Sequence, residues 1–325
     1  MLNRHKQIIH KGNLLHRIKF NRDLNCLNCM EITVIVTSFK EPKTIGRAID
    51  SLLNQRTKNK YNIIVSAPDD ETLDVVKRYS KNNKNVGTFK DPGKGKSFAL
   101  NLLFKKIKSD ILVLTDGDVF VNDKAINEIL NLFENPQIGC VTGRPVPLES
   151  RKTIFGYWAN FLFDAAHDIR KKAFEDKKFI ECSGYLFAFR RKEINKIPLD
   201  VAEDSVIPYY FVQKGYLIGY ASKAKVYVKN VDNWTDWVKQ KIRTSKAHET
   251  LCKYVDTSKI KRIKSFSTES KGIFQVFTYP RTLKEIWWSV LLVFARLYMW
   301  VRVFWETKAK KKHYGDNWER VDSTK

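Results

Sequence analysis

Residues 111–122, "ILVLTDGDVFVN", place two aspartates at the end of an apolar run, with a single glycine between them. Five apolar or β-branched residues in a row predict a buried strand. Aspartate is depleted in strands, and two carboxylates this close repel each other. Asp116 and Asp118 therefore lie where the strand ends, and their pairing there needs a chemical reason.

The segments before this strand alternate between two patterns. The runs 32–39 ("ITVIVTSF"), 61–67 ("YNIIVSA") and 86–95 ("VGTFKDPGKG") are typical of strands and turns, and helix-like segments with apolar residues at helical spacing separate them. This alternation with short connections predicts an α/β fold whose doubly wound, mostly parallel sheet is flanked by helices. Farther on, residues 217–230 ("LIGYASKAKVYVKN") are interpreted as an edge hairpin.

Length and charge limit the function classes. The chain has 325 residues, 43% of them hydrophobic, and a formal charge of +24, of which residues 223–325 carry +13. The basic excess lies mostly in the flanks, which favours an anionic surface as partner over an anionic active site. We expect a basic arm at 1–30, a catalytic domain at 31–250 and a basic, tryptophan-rich, membrane-interfacial or packing extension at 251–325.

The N-terminus and the cysteines indicate a reducing, cytoplasmic location. No apolar signal-peptide core is visible, and the five cysteines suggest no disulfide framework. Cys26 and Cys29 form a lone CxxC pair, for which incidental thiols are the favoured interpretation and a zinc site the alternative.

Polar residues collect at the predicted strand ends, where ligands bind in open α/β sheets. They are Thr37, Ser38, Asp69, Asp70, Asp116 and Asp118. The aspartate pair suits a turn or a helix cap, but it also suits a hard divalent cation, since Mg²⁺ uses one or two carboxylates together with substrate phosphates. Asp69 and Asp70 are candidates for binding a nucleoside, with a turn as the alternative.

Three further segments have a structural and a functional interpretation. The turn "DPGKGKSFALN" (91–101) offers backbone N–H groups, Lys94 and Lys96 to a diphosphate, or is an ordinary turn. "AED" (202–204) opens a helix, where acidic residues are favourable in any case, or supplies a general base. Gln240 and Arg243 share a helix face that either reaches a phosphate or is solvated.

Taken in order over residues 31–245, these segments resemble a family 2 glycosyltransferase with a GT-A fold. The resemblance implies transfer with inversion from a nucleotide-diphosphate sugar to a glycan or lipid-linked acceptor, with Mg²⁺ or Mn²⁺ on Asp116 and Asp118 and with Asp204 as base. The residues assigned to the donor are Thr37, Ser38, Glu41, Asp69, Asp70, Lys94, Asp116, Gln240 and Arg243. Processive members such as cellulose and hyaluronan synthases carry Gln-x-x-Arg-Trp, whereas Thr244 follows Arg243 here.

Residues 286–305 ("IWWSVLLVFARLYMWVRVFW") are about as long as a bilayer span. Arg296, Arg302 and the tryptophans favour a helix lying at an anionic membrane surface, with a helix packed on the catalytic domain as the alternative. A peripheral enzyme at the cytoplasmic face is therefore expected. The competing classes are a sugar nucleotidyltransferase, for which the glycine-rich signature is missing, and a basic nucleic-acid-binding or membrane-binding protein. No nucleic-acid partner is expected, because that class does not explain carboxylates at strand ends.

Overall fold

The computed structural model describes residues 30–246, 250–257 and 275–305. Most of the predicted basic arm, the Cys26–Cys29 pair and the lysine-rich segment after residue 305 lie outside the described residues.

One sheet organises the described residues, with strand order β3-β2-β1-β4-β7-β6-β8-β5. The strands are β1 (Ile32–Thr37), β2 (Asn62–Ala67), β3 (Val86–Lys90), β4 (Ile111–Asp116), β5 (Phe120–Val121), β6 (Ile138–Pro147), β7 (Leu186–Arg190) and β8 (Leu217–Val228). Strands β3, β2, β1 and β4 are parallel, as are β6 and β8. Strand β7 is antiparallel to both β4 and β6, and β5 is antiparallel to β8.

Helices flank this sheet as predicted. They are α1 (Ile45–Leu53), α2 (Asp70–Asn82), α3 (Lys96–Lys106), α4 (Ala125–Leu132), α5 (Ile154–Glu175), α6 (Glu203–Gln213), α7 (Trp234–Lys246), α8 (Gln275–Thr278) and α9 (Leu283–Phe304). The doubly wound α/β prediction is confirmed. Short 3₁₀ turns at Arg191–Glu193 and Leu251–Lys253 complete the regular structure of the described residues.

Both faces of the sheet are buried, which explains why its central strands are apolar throughout. In β1, Val34 and Val36 pack with α1 and α4, whereas Ile35 packs with α3 and α6 on the other face. Because successive side chains of a strand point to opposite faces, a strand covered on both sides needs apolar residues at every position. The carboxyl ends of β1, β2 and β4 then meet at one edge of the sheet.

The prediction of an edge hairpin at 217–230 is wrong. This segment is the single strand β8, which pairs in parallel with β6 along its length, with register shifts between Ile138 and Cys140 and between Thr142 and Arg144. The sequence pattern could not show this, because the pairing joins segments far apart in the chain. Strand β5 pairs with the end of β8, and Val121 N donates to Ser51 Oγ of α1, so the sheet curls back toward its first helix.

A third apolar cluster joins α9 to the domain. One face of α9 packs against α5 and α7, with Ser289, Leu292 and Met299 buried. Tyr157 and Ser289 share a hydrogen bond, and Trp158 Nε1 donates to the carbonyl of Trp288 over 2.7 Å. The helix is therefore packed on the domain along this face.

The opposite face of α9 is apolar and exposed. Its exposed large apolar side chains are those of Leu283, Ile286, Trp287, Phe294, Leu297, Tyr298, Val301 and Phe304. By length and composition α9 is the helix among the described residues that meets the requirements for a membrane span. The packed-helix alternative therefore holds for the inner face, and the membrane-surface interpretation of the outer face stays a prediction.

Candidate active site

The aspartate pair lies at the carboxyl edge of the sheet, against the loop that follows β1. Thr37 Oγ1 donates to Asp116 Oδ1 over 3.0 Å. A Cβ on Gly117 would lie 2.5 Å from Ser38 Oγ and 2.6 Å from Glu41 Oε2. Such contacts are too short for real atoms, so the glycine between the aspartates lets the Ser38–Glu41 loop reach this site.

Lys96 joins this centre to the start of α6. Its Nζ lies 2.6 Å from Asp116 Oδ1 and 2.6 Å from Glu203 Oε1. Burial alone would lower the pKa of Lys96, but Asp116 and Glu203 raise it well above its ordinary value. The lysine is therefore a fixed positive charge at the first residue of α3, just after Gly95, whose φ of 100° an L side chain rarely adopts.

Glu203 and Asp204 open α6 and have different surroundings. Glu203 is buried, and burial first, then the charges of Asp204 and Asp116, raise its pKa despite the opposing effect of Lys96. Asp204 Oδ2 accepts a hydrogen bond of 2.9 Å from Gly184 N, just before β7. A Cβ at position 184 would lie 3.2 Å from that oxygen, so a glycine there keeps the backbone donor close.

The Tyr185 hydroxyl lies within electrostatic reach of the three aspartates. Burial first, then Asp118 and Asp116, raise the pKa of its hydroxyl; Arg243 lowers it, and Asp204 raises it further. The carbonyl of Tyr185 accepts a 2.8 Å hydrogen bond from Thr115 Oγ1, directly before Asp116. Residues predicted from separate motifs therefore act electrostatically on one tyrosine, and Arg243 of α7 acts on it as well.

Other predicted residues have structural contacts. Asp69 caps α2, accepting from Thr72 N over 2.9 Å, and also accepts from Lys40 N over 2.8 Å. Asp70 is exposed and forms an ion pair of 2.5 Å with Lys90. Lys94 is exposed, with its ammonium 5.6 Å from the Phe98 ring centroid. Gln240 lies half-buried on α7.

The sequence interpretation weighed both lysines of the 91–101 turn but assigned Lys94, not Lys96, to the donor, and it chose Asp204 over Glu203 as the base. Lys96 follows Gly95 at a helix start, and Glu203 directly precedes the proposed base. The sequence does not show that either side chain is buried. Lys96 is one of two lysines in the same turn, and Glu203 is an acidic residue of the kind that suits any helix N-terminus. Only the fold brings them within 2.6 Å of each other.

The residues present fit a divalent cation. The described hydrogen bonds and ion pair of Asp116 all involve Oδ1, which leaves Oδ2 for a cation. Within the described ranges no group of three or more metal-ligating side chains occurs. Two carboxylates suit an ion that completes its shell with waters and substrate phosphates.

The mostly parallel sheet carries carboxylates at its carboxyl edge, and a lysine is held between one of them and the first residue of α6. Together these features define a GT-A type sugar-transferring domain. Residues 30–247 match the model described as glycosyltransferase like family 2, and the chain belongs to that family. The predicted family and enzyme class are confirmed.

Two curated relatives and one solved structure are similar to this chain. The probable glycosyltransferase YdaM of Bacillus subtilis is 26% identical over 261 residues, which is 74% of this chain and 61% of YdaM. The O-antigen chain rhamnosyltransferase RfbN of Salmonella typhimurium is 25% identical over 211 residues, 61% of this chain and 66% of RfbN. The matches thus span less than two thirds of either relative.

The fold is similar to that of mannosyltransferase PcManGT from Pyrobaculum calidifontis, solved in complex with GDP-Man and Mn²⁺. The TM-score is 0.57 at 16% identity, over 89% of this chain and 88% of that one. This likeness concerns the fold alone. The match over residues 30–247 shows family 2 as a whole, and none of these comparisons singles out cellulose or hyaluronan synthases.

Proposed function

We propose that this protein transfers a sugar from a nucleotide-diphosphate sugar to a hydroxyl of a glycan or lipid-linked acceptor, with inversion at the anomeric carbon. The observation that carries the proposal is the meeting of Asp116, Lys96, Glu203 and Asp204 around one edge of the sheet. The family membership favours transfer over nucleotidyl transfer, and nothing in this arrangement requires a nucleic acid.

In this proposal Asp116 and Asp118 hold Mg²⁺ or Mn²⁺, which, when bound, supplies Lewis-acid stabilisation of charge on the diphosphate. Lys96 adds a fixed positive charge beside Asp116 and is held there by Glu203. Thr37, at the end of β1, and the loop residues Ser38 and Glu41 lie against the segment that carries the aspartate pair. The other residues proposed to contact the donor are Asp69, Asp70, Lys94, Gln240 and Arg243.

Asp204 is proposed to take the proton from the acceptor hydroxyl. Its Oδ2 is oriented by Gly184 N, while its neighbour Glu203 is turned into the interior and bonded to Lys96. Successive residues on a helix point about 100° apart, so one of the two carboxylates at most faces an acceptor. The division of contacts supports Asp204 in that role.

The proposal places the enzyme at the cytoplasmic face of an anionic membrane. Residues 31–250 are the proposed catalytic domain, and 251–325 the extension that contacts lipid. The exposed apolar face of α9 is accompanied by Lys284, Arg296 and Arg302, and apolar side chains with cations suit an interfacial helix on anionic lipid. GDP-Man and Mn²⁺ in PcManGT and the O-antigen role of RfbN support the donor, metal and glycan classes.

The test is metal-dependent hydrolysis of a panel of nucleotide sugars by the full chain, followed by donor binding to Asp118→Asn. We expect this variant to lose metal-dependent donor binding and to keep its circular dichroism spectrum. Asp123→Asn is the matched control, since Asp123 is exposed and pairs with Arg56 on the surface. Parental metal and donor binding by Asp118→Asn would contradict the metal assignment.

A further inference from the structure

A basic cavity lies between α5 and the paired strands β6 and β8, outside the carboxylate centre. Its volume is about 350 Å³, within the range of small-molecule sites. Four cations line it, Arg144, Lys171, Lys223 and Lys225, together with His167. None of the described residues that line it is acidic.

The fold forces these cations together. Register places Arg144 of β6 beside Lys225 of β8, and Lys223 lies two residues earlier on the same face of β8. His167 and Lys171 are four residues apart on α5 and therefore share a helix face. Like charges held this close repel one another, and a bound anion relieves that repulsion.

Carboxylates of α5 offset part of this charge, since Asp168 and Asp164 both act on His167. Arg144 forms an ion pair of 3.3 Å with Asp164. Across the described part of the chain, no carboxylate lies within ion-pair distance of Lys171, Lys223 or Lys225. His167 Nδ1 shares a 2.7 Å hydrogen bond with Tyr220, which fixes the ring at the cavity wall.

The strand register places the cavity toward the same edge of the sheet as the candidate active site. Phe187 of β7 lies opposite both Leu114 of β4 and Thr142 of β6, so these two residues are at the same height in the sheet. Arg144 and Asp116 each follow two residues later, toward the same edge. Helix α5 connects the two places as well. Phe163 stacks on Tyr185 with ring centroids 6.4 Å apart, and His167 follows about 6 Å along the helix axis.

We propose that this cavity binds a phosphate or carboxylate group carried by the acceptor glycan. The inference rests on the proposed transferase function, because it assigns the acceptor to a chemical class. Four cations and an imidazole around this open pocket recognise a sugar-borne anion through charge and several hydrogen bonds. A neutral sugar has no group that matches this charge.

The test is isothermal titration of the full chain, without divalent metal, using glucose 6-phosphate, glucuronate, glucose and inorganic phosphate as probes. The variant combines Lys171→Gln, Lys223→Gln and Lys225→Gln. Its control combines Lys58→Gln, Lys60→Gln and Lys84→Gln, which remove the same charge from exposed positions elsewhere.

We expect at least one sugar anion to bind the parent more tightly than glucose or inorganic phosphate, and to bind the cavity variant at least tenfold more weakly while the control stays within twofold. Equal losses in both variants, or equal affinity for glucose or inorganic phosphate, would overturn the inference. If the parent turns over a donor but binds no sugar anion, the inference fails alone. A parent that binds a sugar anion in this cavity but turns over no donor instead contradicts the proposed function.

Discussion

Lys96 and Glu203 form a buried ion pair of 2.6 Å that connects the start of α3 with the start of α6. The same ammonium contacts Asp116, so one side chain fixes the spacing between the proposed metal-binding aspartate and the helix that carries the proposed base. Breaking a buried charge pair leaves the remaining charge uncompensated, which is costly. The pair therefore both supplies and positions charge at the site.

Replacing Lys96 by Met tests this role. The variant loses the positive charge between two carboxylates, and charge-assisted contacts are worth about 1.5–3 kcal/mol. We expect kcat/KM for donor hydrolysis to fall by roughly 10- to 100-fold, whereas Lys94→Met should lose less. A larger loss in Lys94→Met, measured side by side, would show that the exposed lysine is the one that contacts the donor.

Gly117→Ala should disrupt the site by a steric clash, without any change of charge. The added Cβ meets Ser38 Oγ and Glu41 Oε2 at 2.5 and 2.6 Å, so the loop after β1 has to move. We expect donor affinity, measured by titration with Mn²⁺, to fall by at least tenfold. Gly87→Ala is the control, because its nearest neighbour would be 4.0 Å away. Unchanged affinity in Gly117→Ala would mean that the loop does not contribute to donor binding.

How far the sequence predicted this site depends on how local each feature is. The strands and the aspartate pair were predicted from short, contiguous patterns. The fold predicted from the strands is confirmed, and the metal-binding role of the aspartates stays a prediction. Selecting Lys96 over Lys94 depends on the backbone turn at Gly95 and on Glu203, which lies far away in the chain. The parallel pairing of β8 with β6, and the basic cavity that it creates, also depend on distant segments.

The attachment of α9 should depend on pH through Arg151 and Glu285, which lie 2.8 Å apart. The hydrogen bond from Arg151 lowers the pKa of Glu285. A lowered folded-state pKa contributes stability that is complete above the ordinary glutamate pKa and is lost as pH falls through the folded value. We expect tryptophan fluorescence to report loosening of α9 in that acidic range. In Glu285→Gln this pH-dependent step should be absent; its persistence would assign the step to another group.

The outer face of α9 can be tested without removing the helix, whose inner face forms part of an apolar cluster. Trp287→Gln combined with Phe294→Gln removes two exposed aromatic side chains, 61% and 64% accessible. We expect binding to liposomes containing anionic lipid to weaken at least tenfold, since burying each such side chain is worth about 1.5–3 kcal/mol. Leu148→Gln combined with Leu199→Gln removes exposed apolar residues elsewhere and should bind like the parent. Equal binding by both double variants would contradict the membrane assignment of α9.

The most direct test of the account is the single-turnover rate of sugar transfer by Asp204→Asn, measured beside its donor affinity. Asparagine keeps the shape of the side chain and can accept the hydrogen bond from Gly184 N, but it does not take up a proton. General-base catalysis is typically worth about 10²- to 10⁴-fold. We predict a fall of that order in the transfer rate with donor affinity nearly unchanged. Transfer at the parental rate would contradict the account, because Asp204 would then serve only to bind Gly184 at the start of α6.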